Sequence, residues 1–180
     1  IFVSGGNSSG KIFQDHGTVY ATEMYDRDTD SWSLMAPHTT PRNYHSTSLL
    51  MPDGRIWQAG GDCGHCAPDG SSAGFNHHKN GQFYSPPYLF KADGSPADRP
   101  VIDSAPTGEN GVVASTSFNI TMSGSGANSI ADFNIIKLSS VTHQINTDVR
   151  RLSLDFTNNG NGSYSVDAHD NINVMTPGYW

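Results

Sequence analysis

A short apolar strand that closes on two glycines occurs twice in this chain. IFVSGG ends on Gly5-Gly6 and RIWQAGG on Gly60-Gly61, 55 positions later. Paired glycines at a strand end let neighbouring backbone come closer than any side chain would allow. Inside the first unit Tyr25 follows the glycine pair, and Trp32 follows Tyr25 by seven positions. VYATEMYD and SWSLM, the latter from Ser31, alternate as strands. LLMPDGRIWQAGG reads as a hairpin around the Asp53-Gly54 turn.

A glycine pair, then a Tyr, then a Trp, recurring about every 50 residues, resembles the kelch repeat, whose unit is a four-stranded blade of a β-propeller. In such a blade the glycines let the innermost strand crowd the propeller axis, and the Tyr and Trp fill the space between blades. One complete blade and part of another are expected here. A blade cannot bury its own faces, so the remaining blades are expected in further polypeptide. The chain opens inside an apolar strand with neither a Met nor a basic stretch, and its last residues, MTPGYW, read as the start of a strand. Both ends suggest a piece of a longer protein.

The pattern changes midway. Cys63 to Ser85 is loop-like and His-rich, and SPPYLFKADGSPADRP marks a crossing near Arg99. From Val101 onward short alternating segments separated by Gly, Asn and Ser turns predict an immunoglobulin-like β-sandwich. The expected fold is thus all-β: the end of a kelch-type propeller over residues 1–98 and a sandwich over 99–180 that lacks its C-terminal strand.

Composition narrows the partners. Lys and Arg number 10 against 17 Asp and Glu, a formal charge of −7, which argues against nucleic acid and anionic membranes. No run of about 18 apolar residues exists, so no membrane-spanning helix is predicted. Asn-x-Ser/Thr sequons at Asn7, Asn119 and Asn161, few lysines and only two cysteines tilt the reading towards a secreted, glycosylated protein. Cys63-Gly-His-Cys66 fits a structural disulfide closing a tight loop. A redox dithiol and half of a zinc site are the alternatives.

Three residues could carry chemistry: Tyr44, His45 and His143. Neighbours in an extended chain point to opposite faces, so Tyr44 and His45 can share a site only if the backbone turns there. Imidazole and phenolate together suit copper(II), which favours nitrogen and oxygen donors. On residue type alone a structural role for each remains open, because eight histidines will include surface and core ones. His77-His78 reads as a solvated loop, Asp53 as a turn residue, and Asp148 with Arg150-Arg151 as an ion pair at a strand start.

The stretches YHSTSLLMPDGR, GGDCGHC, NH followed by QFYSPPYLF, RPVI, THQINTDVRRLSLDFTNNGNGSY and PGYW resemble, in order and spacing, the C-terminal part of galactose oxidase and related copper-radical oxidases, the glyoxal oxidases included. The resemblance implies a kelch propeller followed by an early-set immunoglobulin-like domain. It makes Tyr44 an axial ligand, His45 and His143 the two histidine ligands of copper, and Cys63–Cys66 a disulfide, with His77 as a buttress of the rim. It implies oxidation of a primary alcohol, an aldehyde or a carbohydrate by O2 with release of H2O2. In the family's mechanism the axial tyrosine takes the hydroxyl proton, here Tyr44. A second tyrosine, joined to a cysteine through a thioether, holds a radical and takes the carbon hydrogen. That tyrosine–cysteine cofactor is expected from earlier blades outside this chain. The loop PDGSSAGF, residues 68–75, is longer than its galactose oxidase counterpart. The rival expectation is a non-catalytic extracellular protein serving carbohydrate binding, adhesion or a structural assembly.

Overall fold

The computed structural model describes residues 1–64, 76–108, 111–138, 140–143 and 145–180. Cys66 and the loop at 68–75 lie outside the described residues. The strands, in chain order, are β1 (Phe2–Ser4), β2 (Thr22–Asp26), β3 (Ser31–Met35), β4 (Ser46–Leu50), β5 (Ile56–Gly60), β6 (Asp62–Cys63), β7 (Asn76–His77), β8 (Gly81–Tyr84), β9 (Pro100–Ser104), β10 (Ser117–Gly124), β11 (Phe133–Ile136), β12 (Ser140–Thr142), β13 (Ile145–Thr147), β14 (Arg151–Leu154), β15 (Phe156–Gly160) and β16 (Ser163–Asp167). A short 3-10 turn spans Pro87–Leu89. No helix among the described residues is long and apolar enough to cross a membrane. The chain divides into two compact units, Ile1–Leu89 with Ser140–Thr147, and Phe90–Ser139 with Asp148–Trp180.

The first unit holds two antiparallel three-stranded sheets, β1-β2-β3 and β4-β5-β8. Among the described residues each of these sheets has three strands. In the first sheet Tyr25 lies opposite Trp32 and the two rings pack at 5.2 Å, so the Tyr–Trp spacing in the sequence is a cross-strand pair. The predicted hairpin is β4–β5, with Leu50 opposite Ile56. Its turn is held by Asp53, whose carboxylate accepts from the Arg55 backbone at 3.0 Å and pairs with the Arg55 guanidinium at 2.7 Å.

The second unit contains the four-stranded sheet β15-β16-β10-β9 and the pair β11-β14. Period-two alternation brings Phe118, Ile120 and Met122 of β10, Tyr164 and Val166 of β16, Phe133 and Ile135 of β11, and Leu152 and Leu154 of β14 into one core. Phe133, Phe156 and Tyr164 meet edge to face at 5.1 to 5.8 Å. Tyr164, fully buried, donates its hydroxyl to the Ala127 carbonyl at 2.7 Å. Asp148 pairs with Lys137 at 2.7 Å and with Arg150 at 3.4 Å, as the strand-start ion pair predicts.

Candidate metal centre

The segment Pro41 to His45 runs between the two glycine-pair strands and is pinned on both sides. Arg42 is 2% exposed. Its guanidinium donates to the Gly60 carbonyl at 2.6 Å and to the Asn80 side chain at 3.0 Å. Asn43, equally buried, donates its amide to the Gln14 carbonyl at 2.9 Å and to the Thr18 hydroxyl at 3.1 Å. The Arg42 carbonyl accepts from the Gly6 backbone at 3.0 Å. A Cβ on Gly60 would stand 2.8 Å from the His45 carbonyl, and one on Gly61 3.0 Å from the Pro41 carbonyl. The recurring glycines are therefore what this segment lies against.

The turn demanded by the Tyr44-His45 pair is present. The Ser46 N–H donates to the Asn43 carbonyl at 3.1 Å, and His45 takes φ 61°, the left-handed value that such a turn needs at its third residue. Both side chains consequently leave the chain on one side, with ring centroids 3.8 Å apart. His143 sits in the turn between β12 and β13, also left-handed at φ 53°. Its hairpin belongs to the first unit, and its ring lies 5.2 Å from that of His45 and 5.6 Å from that of Tyr44. The three candidates are thus brought together. Phe13, from the long polar loop after β1, packs edge-on against Tyr44 at 4.6 Å.

Each imidazole has a partner on one nitrogen. Nδ1 of His143 lies 2.5 Å from the Thr142 hydroxyl. Nδ1 of His45 lies 2.5 Å from Asp62 Oδ2, and the other oxygen of that carboxylate is 2.6 Å from Nδ1 of His77. These two histidine contacts, His45 first, hold the Asp62 carboxyl below its ordinary range. Asp62 and Phe13 did not emerge from the sequence as site residues. Asp62 was in principle accessible: continuing the β4–β5 register, Ser46 opposite Gly60, sets it across from Tyr44, whose carbonyl accepts from the Asp62 backbone at 2.7 Å. Phe13 had no signal, since Ile12-Phe13 in a polar loop follows no strand pattern.

The remaining candidates lie elsewhere. Cys63 is completely buried, and Cys66, its expected partner, lies outside the described residues. Asn7 donates its amide to the carbonyls of Gln14 and His16 at 3.0 and 2.7 Å. Asn119 lies within β10, its side-chain oxygen accepting from Ser165 at 3.2 Å. Asn161 is exposed in the turn between β15 and β16.

Residues 99–180 match the family described as the galactose oxidase-like early-set domain. These residues are a galactose oxidase-like early-set domain. Over almost all of its length the chain is also homologous to longer proteins. It is 36% identical over 180 residues to a galactose oxidase from Gibberella zeae, covering 99% of this chain and 24% of that protein. A second galactose oxidase, from a strain of the same species, matches to the same extent. Among solved structures it is similar to a fungal alcohol oxidase of the AA5 family in complex with copper, with a TM-score of 0.76 and 38% identity, covering 98% of this chain and 35% of that one. The chain therefore spans about a quarter of the curated relatives' length and corresponds to their C-terminal region.

Whether the residues present fit a copper ion can be judged from the donor set. No three His, Cys, Asp or Glu side chains among the described residues group as a metal site. What converges is two imidazoles and a phenol, so a metal here must draw on oxygen from Tyr44, a combination suited to copper(II). Nδ1 is engaged in both histidines, which leaves Nε2 of each as the nitrogen available to an ion. The set fits.

Proposed function

We propose that this chain is the C-terminal part of a secreted copper-radical oxidase that converts a primary alcohol or aldehyde with O2 and releases H2O2. The observation that carries the reading is the convergence of the Tyr44, His45 and His143 rings from two separate turns, within 3.8 to 5.6 Å of one another. Homology to galactose oxidase and to a copper-containing alcohol oxidase supports the metal and the substrate class.

In this reading His45 and His143 hold copper through Nε2, and Tyr44 supplies the oxygen donor. Copper, when bound, supplies a Lewis-acidic centre for the substrate hydroxyl and a one-electron redox partner. Held as the tyrosinate by the charge of the metal, Tyr44 would receive the hydroxyl proton on its phenolic oxygen, acting as general base. Phe13, edge-on to Tyr44, limits rotation of that ring and keeps water from one side of it. Asp62 and Thr142 engage the outer nitrogens of the two imidazoles. The radical-bearing tyrosine and its cysteine partner must come from polypeptide outside these 180 residues.

The test is the copper content of the longest natural form of the protein, purified without chelator, beside its His143→Ala variant. The expected result is about one copper per chain in the parent and loss in the variant, followed by peroxide release with primary alcohols. A parent that takes up no copper after reconstitution defeats the reading.

A further inference from the structure

Among the described residues Asp62 is the carboxylate that touches a candidate ligand. Its backbone N–H donates to the Tyr44 carbonyl at 2.7 Å, and β6 pairs with β7 so that Asp62 lies opposite His77. Backbone and strand register therefore fix its position relative to both imidazoles before its side chain makes any contact. The carboxylate then meets Nδ1 of His45 on one oxygen and Nδ1 of His77 on the other, at 2.5 and 2.6 Å. A carboxylate has no proton to donate and only accepts hydrogen bonds. Both Nδ1 atoms must then carry the proton. A neutral imidazole protonated on Nδ1 keeps its lone pair on Nε2, the form a metal requires.

His45 needs such a constraint. Its side chain is 43% exposed and it stands on a left-handed turn, so little packing beyond the face of Tyr44 at 3.8 Å holds the ring. His143 differs, because its Nδ1 meets a hydroxyl, which can donate or accept and so does not select a tautomer.

We propose that Asp62 is a positioning residue for the copper centre: braced through its second oxygen by His77, it holds His45 as the Nδ1–H tautomer and presents Nε2 to the ion. The inference rests on the proposed function for the identity of the metal. The protonation of His45 is a property of the metal-free protein and can be read without it.

The experiment uses the full-length protein, labelled with 15N-histidine and free of metal, with nitrogen–proton correlation spectra that distinguish Nδ1–H from Nε2–H rings. His45 is expected as Nδ1–H in the parent and as a mixture of tautomers in Asp62→Ala, with His143 unchanged. Copper affinity, measured by competition with a chelator of known affinity, is expected to fall about 10- to 100-fold in Asp62→Ala. His77→Phe keeps the carboxylate on His45 and is expected to retain the Nδ1–H form with a smaller loss of affinity, which preserves the test should Asp62→Ala fold poorly. An Nε2–H ring at His45 in the parent overturns the proposal. So does parental copper affinity with an unchanged His45 signal in Asp62→Ala. A parent that binds no copper instead defeats the functional reading, and with it the metal-presenting role, before any variant is compared.

Discussion

Gly5 and Gly60 have nearly the same left-handed backbone, φ 75° and 73°, and each stands against a carbonyl of the segment that carries Tyr44 and His45. An alanine Cβ at Gly60 would lie 2.8 Å from the His45 carbonyl, and one at Gly5 would overlap that of Arg42. Gly6, at φ 98°, has nothing within 4 Å of the same atom. All three substitutions incur the left-handed cost of an L-residue, roughly 1–2 kcal/mol, and only two add a collision. Gly6→Ala should therefore cost about 1–2 kcal/mol. Gly60→Ala should cost about 2–3 kcal/mol, because a carbonyl must retreat by a few tenths of an ångström. Gly5→Ala should cost roughly 3 kcal/mol or more, since neither backbone can yield that far. Denaturant midpoints of the longest natural form give the ordering. The same series reports on the site: the carbonyl displaced by Gly60→Ala is that of His45 itself, so copper affinity should fall there and not in Gly6→Ala. Equal losses at Gly5 and Gly6 would refute the argument, showing that φ alone demands glycine.

Three further outcomes are expected. Tyr164→Phe leaves the buried Ala127 carbonyl without its 2.7 Å partner and should destabilise the early-set domain by about 1–3 kcal/mol in thermal unfolding; a loss below about 0.5 kcal/mol would show that the bond contributes little. The hydrogen bond from Lys137 holds the Asp148 carboxyl below its ordinary range, so the pair's stabilisation is complete above the unfolded-state value of about 3.9 and is lost as pH falls through the lower folded-state value. Lys137→Met should make the acid limb of the stability–pH curve shallower, and an unchanged limb would contradict this. In a secreted, glycosylated preparation, peptide mapping should find glycan on Asn161, at the tip of its hairpin, and none on Asn7, whose amide is committed to two carbonyls; an occupied Asn7 would mean that its loop is not held as described.

What could be read in advance followed the range of the forces involved. The β4–β5 hairpin depends on Asp53-Gly54 and alternating apolar residues, all local, and β3 spans the SWSLM segment expected of it. The sandwich core follows from period-two patterning that no distant contact is needed to reveal. Asp62 could have been found by extending the β4–β5 register. The roles of Arg42 and Asn43 were hidden because each depends on contacts between segments far apart in sequence: Arg42 reaches Gly60 and Asn80, and Asn43 reaches Gln14. No local pattern encodes those distances.

The backbone at two of the candidate ligands is left-handed. Among the described residues six non-glycine positions have positive φ: Asp30, His45, Ser115, His143, Asp148 and Asn161. Asp, Asn and Ser are at home in turns, where a short polar side chain can bond to nearby backbone. The two histidines carry the largest side chains of the six, and they are the pair whose rings meet. A strand could not have presented Tyr44 and His45 to one ion, because it sends adjacent residues to opposite faces; a left-handed residue between β4 and the buried Asn43 brings them to the same side. At His143 the same device turns a two-stranded hairpin so that its tip residue meets them. Strain of about 1–3 kcal/mol per residue persists only where surrounding structure enforces it. At Tyr44-His45 the enforcing contacts are Gly5, Gly60 and Gly61 against the carbonyls of this segment, the buried Arg42 and Asn43 anchors and the Asp62 bridge.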